Sequence, residues 1–139
     1  DPNIIGKHDN FISINNTIAV DLTGQVCSET IGFKQFSGTG GQLDFVRGAR
    51  YSKGGKSFIA LKSTVMTKKG LVSKISCALQ PGSVVTVPRT EVQYIVTEFG
   101  IVNLWGQDIQ SRVKAMISVA HPDFREQLTT EAIEAGLLN

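Results

Sequence analysis

The stretch Ser37-Gly38-Thr39-Gly40-Gly41-Gln42-Leu43-Asp44-Phe45-Val46-Arg47-Gly48-Ala49 decides how this chain is read. Gly38, Gly40 and Gly41 can take backbone conformations closed to other residues, and the run from Gln42 to Tyr51 after them predicts a short helix. A glycine-rich loop that opens a helix presents main-chain N–H groups to an anion or an oxyanion. The local signal is not G-x-G-x-x-G and lacks the Gly-Lys-Ser/Thr ending of a P-loop. On its own, a tight turn with small residues for close packing explains the loop equally well.

On the N-terminal side, Phe11-Ile12-Ser13-Ile14 and Thr17-Ile18-Ala19-Val20-Asp21-Leu22 are β-branched and partly alternating, with Asn15-Asn16 between them and Thr23-Gly24 after. That punctuation predicts short strands and turns. On the C-terminal side, Lys53-Gly54-Gly55-Lys56 reads as a turn, and Ser57-Phe58-Ile59-Ala60-Leu61 as a strand buried on both faces. Lys68-Lys69-Gly70 turns into Leu71-Val72-Ser73-Lys74-Ile75, Pro81-Gly82 into Val84-Val85-Thr86-Val87, and Val92 to Thr97 supplies a further strand. From Asp108 the period changes. Ile109, Val113, Met116, Ile117 and Ala120 make one apolar helical stripe, which His121-Pro122 ends. Pro122 suits the first turn of a second helix with Phe124 and Leu128 on one face and Gly136 as its stop. Many strands followed by terminal helices predict an α/β or α+β domain with a mixed sheet flanked by helices.

The chain has 139 residues, room for one compact domain with a core but not for two. Its 14 basic and 12 acidic residues are scattered rather than gathered into the stripe a nucleic-acid backbone demands, so charge names no partner. No apolar run is long enough for a membrane span, and no basic-then-apolar leader pattern is present. Cys27 and Cys77 lie in apolar or strand-like segments without metal-ligand spacing, which favours two reduced thiols and a soluble cytoplasmic protein. The opening Asp1-Pro2-Asn3, without a methionine, reads as the start of an excised piece.

Five stretches in order carry a resemblance: Val20 to Val26 (VDLTGQV), 37 to 49 (SGTGGQLDFVRGA), 52 to 56 (SKGGK), 97 to 104 (TEFGIVNL) and 120 to 128 (AHPDFREQL). Together they resemble the C-terminal domain of the acetyl-CoA hydrolase/transferase family, most nearly its 4-hydroxybutyrate, butyrate and acetate CoA-transferases. The resemblance implies an α/β domain of the NagB/RpiA/CoA-transferase type, one of two in the complete enzyme, with the active site between them. It further implies that a glutamate attacks an acyl-CoA thioester, giving a mixed anhydride and then a glutamyl-CoA thioester that a short-chain carboxylate reopens. That glutamate belongs to a histidine-threonine-glutamate type motif of the N-terminal domain, which this sequence lacks. The resemblance therefore implies a fragment inactive alone, with coenzyme A or acyl-CoA as substrate rather than as a resident cofactor. Its expected partners are the N-terminal domain of the same enzyme and, in the complete enzyme, further copies of itself, with no nucleic acid and no membrane.

The same resemblance assigns roles to particular residues. Ser37, Gly38, Gly40 and Gly41 match the glycine loop beside the thioester, where Gly41 allows close approach and offers an N–H to the oxyanion. Ile18 and Lys62 match positions that contact CoA, and a lysine at a pocket rim suits its phosphates, although a solvated strand-end lysine fits Lys62 as well. Glu98 in Thr97-Glu98-Phe99-Gly100 is expected to be a partner for buried backbone or an arginine, not a nucleophile. His121 is expected as a helix cap, Arg47 and Arg50 face either a phosphate or solvent, Trp105 and Tyr94 pack, and His8 stands alone in a polar segment. With no paired histidines, the residues do not suggest a metal site. Two alternatives stay open: a hydrolase, in which water replaces the acceptor, and a CoA-binding module without turnover.

Overall fold

A computed structural model describes residues 1–139. The chain opens on α1 (Pro2–Ile5), followed by β1 (Ile12–Asn16), β2 (Ala19–Asp21), β3 (Val26–Cys27), β4 (Thr30–Ile31) and β5 (Lys34–Gln35). The glycine loop then leads into α2 (Gln42–Tyr51), β6 (Lys56–Ala60), β7 (Thr64–Thr67), β8 (Gly70–Ser73) and β9 (Ile75–Ser76). After a long irregular stretch come the hairpin β10 (Tyr94–Thr97) and β11 (Gly100–Asn103), then α3 (Ile109–Val119) and α4 (Pro122–Glu134).

The main sheet has the order β1-β6-β10-β11. β1 and β10 both run parallel to β6, whereas β11 returns antiparallel to β10. The mixed sheet and flanking helices expected from the sequence are therefore present. The remaining strands do not join it: β3-β2-β9 form a small second sheet, and β4–β5 and β7–β8 are separate hairpins. Val20, Val26, Ile59, Ile75, Ile95, Val113 and Met116 belong to a single buried cluster, so the two larger sheets and α3 share one core. No helix is long and apolar enough to cross a membrane.

The helix boundaries follow from their caps. Asp108 accepts from Ser111 N (2.7 Å) at the start of α3, and His121 Nδ1 accepts from Asp123 N (3.2 Å) at the start of α4, with Pro122 in its first turn. Gly136, at φ +72°, follows the last turn of α4. Two strand expectations need correction. Val84-Val85-Thr86-Val87 forms no strand, only an isolated bridge between Val87 and Val26. Its main chain is held at single points instead: Val84 N donates to Thr30 Oγ1 (2.9 Å), and Thr86 N and Val87 N both donate to Val26 O (2.8 and 3.2 Å). In β6, Ser57 and Ile59 are buried, but Phe58 and Ala60 are only half-buried, so one face of this strand is not covered.

Candidate functional site

The three parallel strands end along one edge of the main sheet, β1 at Asn16, β6 at Ala60 and β10 at Thr97. The residues just beyond these carboxyl ends are Thr17-Ile18, Leu61-Lys62-Ser63 and Glu98. Open α/β sheets bind ligands in the crevice outside these ends. The helix between β1 and β6 starts at the same edge, because Gln42 in its first turn donates from Nε2 to Asn16 O (2.9 Å) and accepts at Oε1 from Ser28 Oγ (2.5 Å). One side chain thus ties the glycine loop to the strand end.

The loop itself, Ser37 to Gly41, is exposed. Gly40 has φ +61°, whereas Gly41, the residue capping α2, has φ −99° and ψ 10° with no side-chain cap. The expectation that a glycine of this loop takes a conformation closed to other residues holds at Gly40, where an added Cβ would meet nothing within 4 Å, while one at Gly41, to which the resemblance gives the close approach, would lie 3.2 Å from the Phe45 ring. The main-chain N–H groups of Gly38, Thr39, Gly40 and Gly41 donate to no acceptor in the chain. Unspent donors at a helix start are where the helix dipole also favours negative charge.

Two adjoining clefts lie along this edge. The larger, about 710 Å³, has Ile18, Ile31, Val65, Val72 and Lys74 in its walls. The smaller, about 650 Å³, runs past Ala60, Lys62, Val96, Lys74 and Glu98. Asn16, Val65 and Lys74 belong to both, so Ile18 and Lys62 stand on opposite arms of one depression. Ser37, Gly38, Gly40 and Gly41 form no part of either wall and reach the depression only through Gln42 and its partners Asn16 and Ser28.

The charges of the depression are two ammonium groups and one carboxylate. Burial pushes the Lys74 ammonium below its ordinary pKa, more than nearby Glu98 holds it up, and Lys62 lowers it further. Its Nζ lies 3.5 Å from Thr17 O. Glu98 accepts from Ser63 N at 2.9 and 3.3 Å through its two oxygens. Some desolvation opposes ionisation of Glu98, but the polar groups of Ser63 outweigh it and hold the carboxyl below its ordinary range. The Ser63 hydroxyl, though buried beside this carboxylate, makes no bond of acceptable geometry, so the main-chain N–H carries the contact. Of the two partners the sequence allowed for Glu98, the structure supplies the main chain.

Asn16, Gln42 and Lys74 were missed from sequence. Asn16 read as part of a turn but ends β1, and Lys74 read as one position of a continuous run from Leu71 to Ile75. The strand breaks there: Lys74 N donates to Ser63 O (2.8 Å) and its carbonyl accepts from Val20 N (3.0 Å), which draws the residue between the two sheets. Arg47 and Arg50 turn away from the loop onto Glu91, at 3.4 and 3.3 Å, with Arg50 also over the Trp105 ring. Tyr94 stacks on Phe58 with ring centroids 4.8 Å apart. Cys27 and Cys77 are free thiols.

Comparison with known proteins adds to this geometry. Residues 1–132 match the model of the acetyl-CoA hydrolase/transferase C-terminal domain. The chain is 54% identical over 130 residues to a 4-hydroxybutyrate coenzyme A transferase of Clostridium kluyveri, a match spanning 94% of this chain and 30% of that protein. It is 53% identical over 134 residues to a butyryl-CoA:acetate CoA-transferase of Anaerostipes caccae, spanning 96% of this chain and again 30% of the relative. Among solved structures, RipA from Yersinia pestis superposes with a TM-score of 0.90 at 50% identity, over 99% of this chain and 30% of RipA. The chain thus spans about 30% of the length of the relatives it matches.

Proposed function

The chain belongs to the acetyl-CoA hydrolase/transferase family as its C-terminal domain, and from that premise we propose that it lines the acyl-CoA site of an enzyme moving CoA between short-chain carboxylic acids. The names of its relatives point to 4-hydroxybutyrate, butyrate and acetate as those acids. The attacking glutamate comes from another part of a longer, two-domain polypeptide, since no motif of that kind occurs in this sequence.

The observation that carries this reading is the row of unspent N–H donors at Gly38, Thr39, Gly40 and Gly41, tied by Gln42 to the edge of a cationic cleft. When a glutamate oxygen adds to the thioester carbonyl, that carbonyl oxygen gains negative charge, and fixed donors aimed at it lower the barrier. The CoA thiolate leaves, giving the mixed anhydride. It then attacks the glutamyl carbonyl, freeing the first carboxylate and leaving a glutamyl-CoA thioester for the acceptor carboxylate to open. Lys62 and Lys74 give the cleft the positive charge that the CoA phosphates need. Ile18 offers apolar surface in the larger cleft for the uncharged parts of the substrate.

The test uses the complete polypeptide. Incubated with acetyl-CoA and butyrate, it is expected to yield butyryl-CoA and acetate, separated by chromatography. Free CoA without butyryl-CoA identifies a hydrolase, and acetyl-CoA left unchanged with both butyrate and 4-hydroxybutyrate refutes the reading.

A further inference from the structure

The main sheet is covered on one side only. Strand register places Ile12, Ile14 and Asn16 of β1 beside Lys56, Phe58 and Ala60 of β6, then Tyr94 and Val96 of β10, then Asn103 and Ile101 of β11, all on one face. The opposite face carries Ser13, Ser57, Ile59, Ile95 and Thr97, all buried. That buried face is where the helices pack: Ile59 and Ile95 share the core with Val46 of α2 and Met116 of α3, and Thr97 Oγ1 donates to Val119 O. On the first face no residue is buried, and Ile12, Ile14 and Ile101 are 48, 72 and 60% exposed around the stacked Phe58–Tyr94 pair. β1 is inverted relative to a lone amphipathic strand, for it turns two isoleucines outward and buries Ser13.

Parallel strands in α/β proteins are covered on both faces, and a contiguous apolar face of this kind marks an interface. Its composition fits one: aliphatic and aromatic side chains in the middle, with Lys56, Asn16 and Asn103 at the margins. This chain accounts for only 30% of the length of its relatives and matches the C-terminal domain of the family, so most of such a polypeptide precedes it. We infer that the preceding, N-terminal part of the same polypeptide packs against this face as a second layer. The inference rests on the reading of this chain as one part of a longer enzyme. It also bears on the active site, because Asn16, Ala60 and Val96 lie on the open face and line the smaller cleft as well. A layer laid across the face roofs that cleft and brings its own side chains up to Lys62 and Glu98.

The test is made on the complete enzyme carrying Ile14→Cys or Ile101→Cys, with Lys114→Cys on the exposed side of α3 as reference. Thiol labelling is followed by peptide mass spectrometry. Labelling at positions 14 and 101 is expected to be at least about tenfold slower than at 114 and unchanged by dilution to single subunits. Equally fast labelling overturns the inference. So does slow labelling that becomes fast on dilution, which identifies a second copy as the cover. If either cysteine variant fails to fold, hydroxyl-radical footprinting of the unsubstituted enzyme decides. Ile14 and Ile101, so exposed in the absence of a cover, are then expected to be protected relative to the unfolded chain, and near-full reactivity at both refutes the cover. CoA transfer by the unsubstituted enzyme separates the two claims. Transfer with an open face defeats only the interface, and a protected face without transfer defeats only the transferase reading.

Discussion

Replacing Gly40 tests whether the loop acts through its backbone. Gly40 has φ +61°, and a Cβ there meets nothing within 4 Å, so Gly40→Ala introduces no clash. What it introduces is the cost of a left-handed L-residue, about 1–2 kcal/mol, offset in part by the reduced freedom of the unfolded chain, about 0.4–1 kcal/mol. Stability is therefore expected to fall by at most about 1.6 kcal/mol. The loop can also relieve the strain by leaving the left-handed region, which turns the Gly40 and Gly41 N–H groups away from their present directions. Loss of one oxyanion donor costs about 3 kcal/mol, or about a hundredfold in kcat. The complete enzyme is expected to lose about two decades of turnover in Gly40→Ala with a small change in melting temperature. Asparagine tolerates the left-handed region better than alanine. Gly40→Asn, although larger, is accordingly expected to keep more activity than Gly40→Ala. Steady-state rates and thermal melts of both variants provide the comparison. If Ala and Asn both stay within about threefold of the parent, the loop donors do not stabilise the transition state.

Three further outcomes follow from the same site. Residues 1–139 alone are expected to fold but not to exchange CoA between acetyl-CoA and butyrate above background; exchange by the fragment that Glu98→Gln abolishes would place the nucleophile in this part instead. Lys62→Ala in the complete enzyme is expected to raise KM for the CoA thioester about fivefold while sparing kcat, with a smaller effect at high salt, because an exposed charge on a polyanion acts through screened attraction. An unchanged KM at low salt removes Lys62 from the site. Lys74→Met is expected to stabilise the protein near neutral pH: burial lowers the Lys74 pKa, so the folded state binds protons less readily than the unfolded one, and stability rises as pH climbs through the lowered value towards the ordinary 10.5. The advantage of the variant in thermal melts should thus shrink towards pH 10.5, and a constant difference across that window counts against a charged Lys74 as the cause.

The legible parts of this sequence were those with local punctuation. α2 occupies Gln42–Tyr51, as its flanking glycines and Ser52-Lys53-Gly54 suggested, and the break between α3 and α4 falls at Ala120-His121, where the His-Pro pair predicts it. Elements set by distant partners were not legible. Val84 to Val87 has strong strand propensity, but its main chain is engaged only at Thr30 and at the one residue Val26, across the fold. The hairpin β4–β5 and the strand β7 are too short or too exposed for alternation to reveal them, whereas the Lys68-Lys69-Gly70 turn marked the start of β8. The site divides in the same way. Ile18, Lys62 and the glycine loop came from resemblance, whereas Lys74 and Glu98 meet only because a break before β9 and the end of β10 reach the same cleft. β1 shows the limit most directly. The alternation in Ile12-Ser13-Ile14-Asn15 identifies a two-faced strand, but it cannot say which face this chain covers. Period-two patterning reports where apolar surface lies, while burial depends on what packs there. When most of the polypeptide lies outside the segment in hand, a strand can turn its serine to the local core and keep its isoleucines for a layer encoded elsewhere.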